Sequence, residues 1–127
     1  MEKGSFVTAI NCIDGRVQLP VINWLNENYE VDYVDMVTEP GPNLILADEE
    51  DKVTIESIKD RVEVSTQKHD SELIAVIGHY DCAANLADKT TQLEQIKDSI
   101  ELVESWSLGV EIIGLWVDSN WQVEKVV

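Results

Sequence analysis

Apolar and polar residues follow one another along the chain in a pattern that predicts strands separated by helices. Residues 6–10 are a short β-branched apolar run, and residues 19–28 predict a short helix with a proline in its first turn. Residues 31–37 alternate with period two and indicate a second strand. Residues 73–77 form an unbroken apolar strand, which is typical of the centre of a parallel sheet.

Further elements follow the turn signal Glu-Pro-Gly-Pro at residues 39–42. Residues 53–68 carry apolar positions at helical spacing, behind an N-cap at Asp51 or Thr54. This segment is therefore predicted to be a helix.

The last third of the chain predicts one helix and two strands. Thr-Gln-Leu-Glu at residues 91–94 fits a capping box at the start of a helix that ends at Gly109. A strand over residues 110–117 and a short strand over residues 122–126 follow, with a turn between them. The helix presents an apolar face made of Leu93, Ile96, Ile100 and Val103.

Strands separated by helices predict an α/β fold, formed by a single domain over residues 1–127. We expect a mostly parallel, doubly wound sheet with strand order 2-1-3-4 plus a C-terminal hairpin strand, and helices on both faces. In such sheets, ligands bind beyond the carboxyl ends of the strands, where the winding direction changes.

Potential metal ligands follow the first and third strands, at the point where the winding direction changes. Cys12 comes after the first strand, and His79 and Cys82 come after the third. A lone cysteine is most often a buried core residue, but two thiolates and an imidazole that converge form a ligand set that selects zinc. The sequence therefore predicts a Zn²⁺ site made of Cys12, His79 and Cys82.

The two motifs together resemble those of the β-class carbonic anhydrases. They are Cys-x-Asp-x-Arg at residues 12–16 and Gly-His-x-x-Cys at residues 78–82. The order of strands and helices is similar to the family's across most of the chain, as is the late strand at residues 113–118. The resemblance implies an α/β fold, a bound Zn²⁺ and a homodimer or larger homo-oligomer.

The resemblance also implies a function and a role for each motif residue. Cys12, His79 and Cys82 would ligate zinc, and Asp14 and Arg16 would form the catalytic pair beside it. The implied reaction is the reversible hydration of CO₂ to bicarbonate by a zinc-bound hydroxide. Asp14 would orient that hydroxide, and Arg16 would hold Asp14 as an anion. Asp14 can also turn towards zinc as a fourth ligand, which closes the site.

Several positions depart from the family's pattern. Gly15 replaces a serine, Ala83 replaces a glycine, and residues 38–42 replace a loop that often reads Arg-Asn-Ala-Gly. An acidic residue in that loop would weaken anion binding near the site. No glutamine precedes Cys12 to orient the substrate.

Two alternatives to CO₂ hydration stay open. One is a zinc hydrolase of a related heterocumulene, COS or CS₂, which a narrow apolar access route would favour. The other is a non-catalytic zinc protein in which Asp14 stays on the metal. A cysteine-dependent phosphatase is disfavoured, because three residues between Cys12 and Arg16 leave too few N–H donors to encircle a phosphate.

Composition limits the partners. The formal net charge of −16, from 25 acidic and 9 basic residues, disfavours nucleic acid and anionic membranes as partners. No apolar run approaches membrane-spanning length, and residues 1–5 are too short and polar for a signal peptide, so we expect a cytoplasmic protein.

Three residues near the motifs have simpler interpretations. We expect His69 to be a solvated residue near a helix end and Tyr80 to be a packed aromatic. Asp81 is expected to be a turn residue or a hydrogen-bond acceptor beside the metal ligands.

Overall fold

Five strands form one sheet in the computed structural model of the chain, which describes residues 4–127. The strands are β1 (Phe6–Cys12), β2 (Tyr33–Glu39), β3 (Leu73–His79), β4 (Glu111–Val117) and β5 (Val123–Lys125). Their order is β2-β1-β3-β4-β5; the first four strands pair in parallel, and β5 pairs antiparallel to β4. The predicted fold class and strand order are confirmed.

Helices cover both faces of the sheet, as predicted. They are α1 (Gln18–Tyr29), α2 (Pro42–Asp48), α3 (Lys52–Glu63) and α4 (Lys89–Glu104). Helix α1 packs on one face, and α2, α3 and α4 pack on the other. Chain winding therefore reverses between β1 and β3, because parallel crossovers are right-handed.

The core consists of two apolar layers, one on each face of the sheet. Alternate residues of β3 supply both layers, and every residue of that strand is buried. This burial explains the unbroken apolar run that predicted a central strand. Among residues 4–127, no helix is long and apolar enough to cross a membrane.

Both central strands extend two residues further than predicted. Strand β1 ends at Cys12 rather than Ile10, and β3 ends at His79 rather than Ile77. Strand pairing continues past the last apolar side chain, because it depends on backbone groups. The predicted metal ligands Cys12 and His79 are therefore the terminal residues of these strands.

The predicted capping box at residues 91–94 is wrong. Helix α4 begins at Lys89, and its N-cap is Asp88, whose Oδ1 accepts a hydrogen bond from the Thr91 N–H (2.9 Å). Asp is at least as good an N-cap as Thr, so the upstream residue takes that position. The helix ends at Glu104, five residues before Gly109, because Ser107 adopts a left-handed conformation with φ 55°.

Helix α2 was not predicted. It follows the turn at residues 39–42, where Gly41 has φ 62° and Pro42 occupies the first helical turn. At seven residues, the helix is too short to show a clear period and depends on packing by residues such as the buried Leu46.

Candidate metal centre

The ends of β1 and β3 bring the three predicted ligands together. These strands pair only from Thr8–Ile74 to Ile10–Val76 and separate beyond that point. Cys12 and His79 lie at the opening, and the turn after β3 returns Cys82 to it. The Cys12 and Cys82 Sγ atoms are 3.8 Å apart, and the ligand atoms of all three residues lie within 4.8 Å of one another.

The His79 ring presents its Nε2 atom as a free ligand. Its Nδ1 lies 2.7 Å from the Tyr80 carbonyl oxygen, so Nδ1–H donates there and Nε2 keeps its lone pair. Nε2 is buried and has no hydrogen-bond partner among the described residues. An unpartnered buried nitrogen is unfavourable, and a metal ion would satisfy it. The residues present therefore fit a zinc ion.

The two thiols differ in acidity. Burial raises the pKa of Cys12, but the His79 imidazole, when it is protonated in the metal-free site, and the backbone N–H groups of Gly41 and Asp14 outweigh burial and bring that pKa down to about 7. Burial raises the pKa of Cys82, and the neighbouring Cys12 raises it further. Cys12 is thus the first thiol to ionise, and metal binding would release the proton of Cys82.

Arg16 holds the Asp14 carboxylate through both of its oxygens. Oδ1 accepts from the Arg16 backbone N–H (2.9 Å), and Oδ2 accepts from Nη2 (2.6 Å). These bonds lower the pKa of Asp14 to about 2, although burial acts in the opposite direction. Asp14 is consequently an anion at any ordinary pH.

Arg16 also reaches the loop that carries the other two ligands. Its Nη1 donates to Asp81 Oδ2 (3.2 Å), and its Nη2 donates to the Asp81 carbonyl (3.1 Å). The guanidinium lies over the Trp121 ring, 4.6 Å from the ring centroid. One arginine therefore links the loop after β1 to the loop after β3.

A family comparison agrees with this geometry. The model of a family described as "Putative carbonic anhydrase" matches residues 2–127, nearly the whole chain. The chain belongs to this carbonic anhydrase family. No curated protein sequence matches it.

Solved β-carbonic anhydrases share the fold of this carbonic-anhydrase-like protein. The enzyme CafA of Aspergillus fumigatus aligns with TM-score 0.52 and 12% identity, over 94% of this chain and 74% of its own. A chain from the crystal structures of two tetrameric β-carbonic anhydrases of Sordaria macrospora gives TM-score 0.53 and 12% identity, over 98% of this chain and 82% of its own. A mutant form of CafD from A. fumigatus gives 0.52 and 14%, over 99% and 91%. The protein is therefore a divergent β-carbonic-anhydrase-like chain.

A small apolar cavity of about 160 Å³ adjoins Cys12 and Asp14. The side chains of Ile13, Pro40, Ala83 and Ala84 complete its lining. Of the described residues, those that line this cavity include no basic one. Glu39, the acidic residue in the neighbouring loop, pairs with Arg61 (2.9 Å).

Two amide side chains that sequence reasoning missed hold the loop after β1. Gln18 donates through Nε2 to the carbonyls of Cys12 (2.7 Å) and Asp14 (3.0 Å). Asn11 accepts from the Cys12 N–H (2.8 Å) and donates to the Val17 carbonyl (3.1 Å). An Asn next to a cysteine at a strand end was the available signal, because a buried amide needs local partners.

The sequence-based predictions for Tyr80, Asp81 and His69 compare with the structure as follows. Tyr80 is 51% exposed, so its prediction as a packed aromatic is wrong; it lines a second cavity together with Cys82 and Trp116. Asp81 lies in a turn with φ 59° and accepts from Arg16. His69 follows the helical turn Val64–Lys68, which continues α3, so its position at a helix end is as predicted; its Nδ1 is 2.7 Å from Asp35 Oδ2, outside the metal centre.

Replacing Arg16 should release the Asp14 carboxyl group. In Arg16→Met, we expect the pKa of Asp14 to rise from about 2 towards the ordinary value of 3.8, because its main hydrogen-bond donor is lost. In the wild type, the ionised Asp14 adds to the free energy of unfolding above its ordinary pKa of 3.8, and this contribution is lost as the pH falls through about 2. Arg16→Met should lack this contribution. Carboxyl ¹³C NMR titration measures the shift, with the distant Lys97→Met as control. An unchanged Asp14 pKa in Arg16→Met would contradict the assignment.

Proposed function

We propose that this chain is a zinc-dependent carbonic-anhydrase-like lyase that reversibly hydrates CO₂ to bicarbonate. The observation that carries the proposal is the buried Cys12–His79–Cys82 cluster with an unpartnered Nε2, beside a carboxylate held by Arg16, in a chain of a carbonic anhydrase family. This combination supplies a metal site and an anionic acceptor next to it.

Each site residue has a separate task in the proposed reaction. Cys12, His79 and Cys82 would hold zinc, which supplies Lewis acidity and lowers the pKa of a water molecule at the site. Asp14 would accept a hydrogen bond from the attacking water and so fix its direction. Arg16 keeps Asp14 ionised and bonded to the guanidinium group. This bonding would disfavour direct ligation of the metal by Asp14 and leave room for a water molecule.

The size and apolar lining of the cavity beside Asp14 support a small neutral molecule as the substrate. Its volume of about 160 Å³ accommodates a linear triatomic molecule, and its lining of Ile13, Pro40, Ala83 and Ala84 offers CO₂ van der Waals contact. The same apolar lining favours COS or CS₂ as a second candidate substrate. A test of function therefore has to include all three molecules.

The ligand assignment predicts which substitutions abolish zinc binding. Cys12→Ser and His79→Ala should each lower zinc content from one per chain to near zero, because three protein ligands are the minimum of such sites. Atomic absorption on purified protein measures this. His69→Ala is the matched control and should keep full zinc, since its ring pairs with Asp35. Full occupancy in either site variant would refute the assignment.

The proposed role of Asp14 predicts a loss of turnover without a loss of metal. Asp14→Ala should keep zinc and lower CO₂ hydration at least about 100-fold, in line with loss of a positioned proton acceptor. Stopped-flow assays on zinc-quantified protein over mildly acidic to alkaline pH measure it, with the exposed Asp98→Ala as control. Wild-type turnover in Asp14→Ala would remove the aspartate from the mechanism.

The wild-type assay separates the alternatives. If zinc-loaded protein hydrates no CO₂ at any pH but hydrolyses COS or CS₂, the substrate is COS or CS₂ rather than CO₂. Inactivity towards all three molecules would favour the alternative of a non-catalytic zinc protein, in which Asp14 is a fourth metal ligand.

A homo-oligomer is part of the proposal. The Sordaria enzymes that share this fold are tetrameric, and Ile13 and Leu86, beside the site, are 64% and 91% exposed in the isolated chain. Sedimentation velocity should therefore give at least a dimer, and Leu86→Asp should weaken it. A monomer at micromolar concentration would contradict this part.

A further inference from the structure

The backbone of His79 is held by a side chain rather than by β1. Strands β1 and β3 stop pairing at Ile10 and Val76, so β1 does not pair with the last residues of β3. A buried backbone N–H and C=O without partners would be costly at this point. His79 is 1% exposed, so water does not replace β1 there.

Gln92 of α4 bonds both backbone groups of His79. Its Oε1 accepts from the His79 N–H (3.2 Å), and its Nε2 donates to the His79 carbonyl (3.0 Å). A primary amide carries one acceptor and one donor group side by side, as the peptide of a neighbouring strand does. Gln92 thus takes the place of the missing strand partner.

The remaining bonds of Gln92 fix its own position. Nε2 also donates to the Ala87 carbonyl (3.1 Å), and Oε1 also accepts from Asn43 Nδ2 (3.2 Å). All four hydrogen-bonding positions of the amide are therefore used, and the side chain is 1% exposed. A side chain so constrained is unable to change rotamer without breaking several buried bonds.

The glycine before His79 makes room for this amide. A Cβ atom at Gly78 would lie 3.1 Å from Gln92 Oε1 and 2.9 Å from Asn43 Nδ2. Contacts this short would displace the amide, so Gly78 and Gln92 form one arrangement.

We propose that Gln92 is a positioning residue of the metal centre, which fixes the backbone of His79 so that Nε2 stays directed at the point between Cys12 and Cys82. The inference rests on the proposed zinc site. It adds a residue from α4 to a site otherwise built from the ends of β1 and β3 and the loops that follow them. Gln92 would act through the His79 backbone and is not itself a candidate metal ligand.

The first test compares zinc affinity by chelator competition in wild type, Gln92→Met and Ser99→Ala. Gln92→Met keeps the side-chain volume but loses the bonds to His79, and zinc affinity should fall about 10- to 100-fold, as for other residues that orient metal ligands. Ser99→Ala is the matched control: Ser99 is buried on the same helix and donates to the Asn43 carbonyl (2.9 Å) without touching His79. Its zinc affinity should stay within about threefold of wild type.

The second test measures hydrogen exchange, first in the wild-type protein, where no variant is needed, and then in Gln92→Met. In metal-free wild-type protein, hydrogen exchange of the His79 amide should be as slow, within about tenfold, as that of Tyr80, which bonds the Val117 carbonyl (2.9 Å). In Gln92→Met, exchange at His79 should quicken at least about tenfold relative to Tyr80. The cobalt-substituted variant should also show altered sulfur-to-metal absorption.

Three results would overturn the inference. They are rapid exchange of the His79 amide in wild type, equal zinc affinity in wild type and Gln92→Met, and an equal loss of affinity in Ser99→Ala, which would indicate a general loss of stability. Zinc binding by the wild-type protein is measured first, and its absence would overturn the proposed function itself.

Discussion

The separation of β1 from β3 beyond Ile10 and Val76 is the constraint on which the rest of the structure depends. It arises because the chain winds towards β2 on one side and towards β4 on the other, with helices on opposite faces. The opening leaves room for Cys12, His79 and Cys82, and it removes the backbone partners that a paired strand would have had. Side-chain amides from Asn11, Gln18 and Gln92 supply many of the missing partners.

The same opening affects how a metal ion would couple to stability. Cys12 belongs to the half of the sheet that contains β1 and β2, whereas His79 and Cys82 belong to the half that contains β3, β4 and β5. A zinc ion bound by all three would connect the two halves just beyond the three residue pairs that join β1 to β3. Binding energy would then add to the free energy of unfolding, because the unfolded chain lacks this arrangement.

Sequence patterns predicted the fold and the candidate ligands, and they failed where partners are backbone groups or helices are short. The alternation of strands and helices predicted that Cys12 and His79 meet if β1 and β3 are neighbours, and the strand order confirms that they are. Gln92 was missed because its main partner is the backbone of a residue 13 positions away, which no spacing motif indicates. Its signal was a polar residue one turn before Ile96 on the buried face of α4, where the predicted Leu93 is only partly buried. Helix α2 is too short to show a period, and the N-cap at Asp88 depends on competition between neighbouring polar residues that a pattern does not resolve.

The apolar cavity beside Asp14 gains a further meaning from the charge of the whole protein. With a net charge of −16, the surface lowers the local concentration of small anions, whereas a neutral gas molecule is unaffected by the field. Inside, no basic side chain among the described lining residues offers an anion a counter-charge. Under the proposed function, the same surface would therefore act differently on the approach of neutral CO₂ and on the departure of bicarbonate. Low ionic strength would strengthen this difference, because the field of the surface charges is then less screened.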